Sequence, residues 1–256
     1  MNALPFQLDR TVVIEAARET VFRFFTDDTR WAKWWGAGST IDPQVGGKVY
    51  IRHPGNVEVM GEVVEISPPN RLVFTYGYGS GTPFGPGGSR VTIQLEPEGA
   101  GTRLHLVHDF PEEEARNHHV QGWRYQLSLF GNVVADEQHA NAASIADTWF
   151  NAWADPDVDV RQKLMSEIAS EDVHFRDRYS LNDGIDDLLA HITATQRFMP
   201  GIRMERRGNI RHCQGTMLAD WAAISTDGKT LMQGVNVFVL RADGKISKVT
   251  GLVTPQ

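Results

Sequence analysis

A single cysteine, Cys213, is the only thiol in this chain of 256 residues. Internal disulfides are excluded, and so are metal sites built from clustered thiolates. No apolar run reaches the roughly 18 residues that a membrane-spanning helix needs. The opening segment "MNALPFQLDRTVVIEAA" lacks a basic stretch followed by an apolar core, so no secretory leader is expected and the cytoplasm is the expected compartment. Positive charge is scarce as well: 25 basic residues face 32 acidic ones, for a net charge of −7. Residues 1–138 carry net −5 and residues 139–256 net −2, and Lys and Arg gather only in "MERRGNIRH" (204–212). Binding a phosphate backbone takes a concentrated positive face, so neither nucleic acid nor a membrane is expected as a partner.

The chemical motifs are equally sparse. HExxH, an EF-hand loop and 2-His-1-carboxylate spacing are missing, so no metal and no cofactor is expected. His105 and His108 fall on opposite faces of a strand, and His118 and His119 diverge on a helix. "YGYGSGTPFGPGG" (76–88) lacks the Lys-Ser/Thr ending of a phosphate loop and no helix follows it. It reads as a flexible connection between strands, placed to act as a lid. No Gly-x-Ser-x-Gly occurs and Cys213 has no activating neighbour, so nucleophilic catalysis has no support.

What the sequence does have is periodicity. A strand at 6–15 and a helix at 18–27 lead into "TDDTRWAKWWG" (26–36), where Asp27, Asp28 or Thr29 can cap a short helix. Trp31, Trp34 and Trp35 then share one face of it. Strands follow at 47–52, 57–67, 71–78, 89–98 and 102–110, and a long helix at 112–135 buries Trp123, Leu127 and Phe130. The second half starts again with helices at 141–155 and 160–172, a strand at 173–178, and a helix at 182–201 capped by Asp183. Three β-type runs end it. Residues 136–141, "DEQHAN", mark a short break or a nearly continuous helical join, and no internal repeat is visible.

The first half resembles the START-like (birch-pollen-allergen-like) superfamily, in its branch homologous to the activator of the heat-shock-protein ATPase. "VVIEAARETVFRFFTD", "RWAKWWG", "VGGKVYI", "GEVVEISPPNRLVFTY", "GTRLHLVHDFP" and "GW" carry the resemblance over about residues 8–130. The second half is similar to SnoaL-like domains, which share a cone-shaped fold with nuclear-transport-factor-like proteins, ketosteroid isomerase and polyketide cyclases. "TWFNAWADPD", "VHFRD", "DGIDDLLAHI", "MPG", "ADWAA" and "GVNVFVLRADGKISKV" carry it over about 145–250. The resemblances imply an α+β chain: a START-like helix-grip domain at 1–138 and a SnoaL-like α+β barrel at 139–256, each with a cavity. They also imply a homodimer through the second domain's open sheet.

Asp177 is the sharpest candidate for chemistry. On a strand over 173–178 it shares a face with Val173 and Phe175, and an inward carboxylate would be desolvated as a general base requires. The alternative is a structural aspartate that pairs with Arg176, Arg178 or a backbone amide at the strand end. By resemblance, Asp177 stands where ketosteroid-isomerase-like enzymes keep their proton-abstracting carboxylate. Trp149 then replaces a tyrosine donor, and Asn236 a second acid, which weakens the case for steroid-type isomerisation. Trp149, Trp153, Phe175, Phe198, Trp221 and Phe238 are candidate aromatic walls, with His191 and His212 as further contacts. In the first half, Trp35 and Trp123 are the candidate ligand contacts.

Three functions follow. The first is binding of a hydrophobic or amphipathic small molecule in one or both cavities, without chemistry. The second is general-base catalysis by Asp177 in isomerisation, cyclisation or dehydration of a polyketide-like or terpenoid-like substrate. The third is a chaperone-ATPase interaction module.

Overall fold

The computed structural model describes residues 4–255. These residues form a mixed α+β architecture of two sheets and six α-helices. The chain divides into two compact units, one ending at Ala135 and the other beginning at Asp136. No helix among the described residues is long and apolar enough to cross a membrane.

The first unit comprises β1 (Phe6–Ile14), α1 (Arg18–Arg23), α2 (Asp28–Trp35), β2 (Thr40–Ile41), β3 (Lys48–His53), β4 (Val57–Ser67), β5 (Arg71–Tyr76), β6 (Ser89–Glu98), β7 (Gly101–Phe110) and most of α3 (Glu113–Gln138). Its antiparallel sheet runs in the order β1-β7-β6-β5-β4-β3-β2. Alternation sets the buried face: Val91, Ile93 and Leu95 of β6 point inward, as do Leu104, Leu106 and Phe110 of β7. Trp123, Leu127, Phe130 and Val134 of α3 join the same core. The expected break after α3 shrinks to three residues, since α3 reaches Gln138 and α4 opens at Ala142.

The tryptophan helix α2 is held at its start by two aspartates. Asp27 caps it, accepting from the Arg30 amide at 2.9 Å, and Asp28 accepts from the Ile41 amide of β2 at 2.7 Å. Trp31 donates to the Tyr50 carbonyl at 3.3 Å and Trp34 to the Phe24 carbonyl at 3.4 Å. Both are fully buried, and Trp34 packs its edge on Phe130 with centroids 4.8 Å apart. The Gly-rich stretch after β5 is not a free lid. Tyr78 pairs with Val59, its amide donates to the Phe84 carbonyl at 2.9 Å, and the Phe84 ring is buried.

The second unit holds α4 (Ala142–Ala154), α5 (Val158–Ile168), β8 (Ala169–Arg176), β9 (Leu181–Asp183), α6 (Ile185–Phe198), β10 (Arg203–Cys213), β11 (Thr216–Ile224), β12 (Thr230–Leu240) and β13 (Ile246–Val253). Its sheet order is β10-β11-β12-β13-β8-β9, antiparallel except between β13 and β8. Asp157 caps α5 through the Asp159 amide at 2.8 Å. The buried Arg161 donates to the Asp155 carbonyl at 2.8 Å and to Thr193 of α6 at 2.9 Å. Two boundaries differ from expectation. β8 starts four residues before the expected 173 and ends at Arg176, which leaves Asp177 outside the strand. Asp183 ends β9 and pairs with His174 at 2.7 Å, so the N-cap of α6 falls to Gly184.

Candidate functional site

A cavity of about 550 Å³ opens in the second unit. Trp153 of α4, Phe175 of β8, Phe198 of α6, Met204 of β10 and Trp221 of β11 form its apolar walls. Small residues make the room. An added Cβ on Gly234 would stand 2.7 Å from Trp221 Cζ2, so only glycine lets the indole lie against β12. At Gly251 of β13 an added Cβ would be 3.2 Å from Asp177 Cβ and 3.3 Å from Asn236 Oδ1. The two polar groups flank one spot on the wall. Asn236, only 4 % exposed, has no side-chain hydrogen bond to any other described residue.

Asp177 lines this cavity from a turn rather than from the strand. Its Oδ1 accepts from the amides of Tyr179 and Ser180, each at 2.8 Å, and from the Ser180 hydroxyl at 3.0 Å. It is half-buried and makes no ion pair with Arg176 or Arg178; of the expected structural partners it takes backbone amides just past the strand end. Ser180 Oγ also lies 3.2 Å from His191 Nε2. The serine gives its only proton to the carboxylate, so His191 donates from Nε2 and leaves Nδ1 as an acceptor. Burial lowers the His191 pKa and the nearby Asp177 charge partly offsets this, which favours the neutral ring.

Of the residues expected in this pocket, Trp153, Phe175, Asp177, His191, Phe198, Trp221 and Asn236 line it. Trp149 and Phe238 do not. Both are fully buried and pack edge to face at 5.4 Å as core. His212 is elsewhere too, donating from Nδ1 to Asp136 at 3.0 Å while its Nε2 accepts from the Gly215 amide. His212 shares a face of β10 with Met204, since they pair with Met217 and Ala223 of β11, but it lies eight residues further along the strand, beyond the cavity.

The first unit holds a smaller cavity of about 450 Å³, and Trp35 and Trp123 both line it. Sequence reasoning missed His53, Tyr76, Tyr78 and His119, which line it as well. His119 Nδ1 donates to the Ala115 carbonyl at 2.7 Å, leaving Nε2 to accept from the Tyr78 hydroxyl at 3.0 Å. His53 Nε2 lies 3.4 Å from the Tyr76 hydroxyl. Burial pushes both histidine pKa values down and both tyrosine values up, so all four rings are neutral near pH 7. A usable signal existed: His119 and Trp123 stand at i, i+4 on one helix. Among the described residues no group of three or more His, Cys, Asp or Glu side chains is arranged to hold a metal ion.

The family described as "Activator of Hsp90 ATPase homolog 1-like protein" matches residues 15–135. A putative isomerase of the SnoaL-like family from Agrobacterium tumefaciens is 27% identical, over 46% of this chain and 99% of that one, with a TM-score of 0.43. The Aha1 dimer from Colwellia psychrerythraea is 18% identical, over 48% of this chain and 92% of its own, with a TM-score of 0.42. CalU16 from Micromonospora echinospora is 27% identical, over 51% and 77%, with a TM-score of 0.42. No curated protein matches the chain.

Proposed function

We propose that residues 139–256 form a SnoaL-like domain that binds a hydrophobic or amphipathic small molecule, and that residues 1–138 form a START-like domain able to do the same. The observation that carries this reading is the Asn236 amide, without a protein partner on the wall of a largely apolar cavity of about 550 Å³. An amide with no protein partner on such a wall has its donors and acceptor free for a ligand oxygen or N–H. Apolar walls with a few convergent polar groups are what small-molecule sites share. Native mass spectrometry of the purified protein tests it: a retained molecule that Asn236→Leu releases supports the reading. Bare protein that also takes up no apolar probe would sink it.

General-base catalysis by Asp177 is the second reading, favoured by the meeting of Asp177 and Asn236 at Gly251. A carboxylate beside a neutral amide donor suits removal of a proton next to a carbonyl whose oxygen Asn236 holds. Turnover of a bound ketone that Asp177→Asn abolishes without loss of binding would establish it.

A further inference from the structure

The 550 Å³ cavity does not end at its apolar walls. It adjoins a wider groove of about 930 Å³, and the two share Asp177, Tyr179, Met232, Gly251 and Val253. The groove has a different chemistry: Arg176, Arg178, Thr230, Gln233, Thr250 and Thr254 contribute to it. Most arginines of this unit are engaged. Arg203, Arg206, Arg207, Arg211 and Arg241 make ion pairs, and Arg161 is buried in hydrogen bonds. Arg176 and Arg178 make none with any described residue, although Asp177 lies between them in the chain. Arg178 only leans over the Tyr179 ring, 5.8 Å from its centre. The Asp177 carboxylate is turned to its own loop, where Oδ1 holds two amides and a hydroxyl.

Two guanidiniums against one carboxylate leave the groove net positive on a protein of net charge −7. Arginine forks match planar or tetrahedral anions, and threonine and glutamine supply further donors around them. Resting on the ligand-binding reading above, we propose that the ligand is an anionic amphiphile. Its apolar body fills the cavity, and its carboxylate, sulfonate or phosphate group lies in the groove on Arg176 and Arg178.

A matched pair of fluorescent probes tests this: 8-anilinonaphthalene-1-sulfonate, and the uncharged N-phenyl-1-naphthylamine with the same aromatic frame. The sulfonate should bind the full chain at least fivefold more tightly than the neutral probe, and 0.5 M NaCl should erase that margin. The double variant R176A/R178A should weaken the sulfonate at least fivefold and leave the neutral probe unchanged, while R176K/R178K restores part of the loss. Ala194→Trp, on the cavity wall of α6, should abolish both in this unit. Equal affinity for the two probes, or sulfonate binding indifferent to R176A/R178A or to Ala194→Trp, overturns the proposal and leaves the parent reading standing. If neither probe responds to Ala194→Trp, the parent reading fails with it.

Discussion

Trp123 donates its indole N–H to Nδ1 of His108 at 2.9 Å, and both side chains are buried. That bond fixes the imidazole. His108 carries its proton on Nε2 and gives it to Ser89 Oγ at 2.8 Å, and Ser89 passes its own to the Tyr76 carbonyl at 2.8 Å. A second proton on His108 would set two donors face to face. Burial, reinforced by nearby His119, therefore holds the His108 pKa well below its ordinary 6.5.

Acid should weaken the first unit for this reason. The folded pKa lies below the unfolded one, so the stabilising contribution is complete above about pH 6.5. As pH falls below that value, the unfolded chain takes up protons that the folded chain refuses. Stability should drop by up to about 1.4 kcal/mol per pH unit for each such histidine. His53 and His119 add to the loss in the same direction. Urea unfolding between pH 7.5 and 5 should show a falling midpoint, shallower in His108→Gln.

Trp123→Phe removes the donor and leaves His108 Nδ1 unpaired. The expected cost is about 1–3 kcal/mol, read from the urea midpoint at pH 7.5.

Asn236→Leu should uncouple stability from binding. Replacing an amide that has no protein partner by an alkyl group of similar volume breaks no internal hydrogen bond, so the melting temperature should hold. Affinity for a polar-headed ligand should fall about tenfold, measured by titration calorimetry. A drop in melting temperature would mean that the amide has a structural partner.

Asp177 separates its structural and chemical roles by substitution. Asp177→Asn keeps an acceptor oxygen for the Tyr179 and Ser180 amides, whereas Asp177→Ala loses it and should cost about 0.5–2 kcal/mol more. A catalytic base would lose activity in both alike. Thermal melts alongside an activity assay distinguish the two.

The tryptophan helix predicts a graded series. Trp31→Ala and Trp34→Ala empty fully buried sites and should each cost about 3–5 kcal/mol. Trp35 stands on the cavity wall with its indole nitrogen unpartnered, so Trp35→Phe should change probe affinity more than stability. Differential scanning fluorimetry beside a probe titration checks both.

Strand alternation and helical spacing made the element order readable, and they placed Trp153, Phe175 and Trp221 around one pocket. They failed where the backbone leaves regular geometry. The turn after Arg176 re-aimed Asp177, while His212 kept the parity of Met204 but lay opposite Met217, too far along β10 to reach the cavity. Trp149 and Phe238 had the right inward parity but lay a layer too deep, a distinction that periodicity cannot make. Tyr76 and Tyr78 were hidden because the glycines around them read as a loose loop.

The turn at Asp177–Ser180 has a kinetic consequence. Three hydrogen bonds to a single carboxylate oxygen set the rim of the cavity before any ligand arrives. Entry then requires little ordering of the protein, so little binding energy is lost to conformational entropy. Ligands of different fit should associate at similar rates and differ chiefly in residence time. Loosening the turn should slow capture as well as hasten escape.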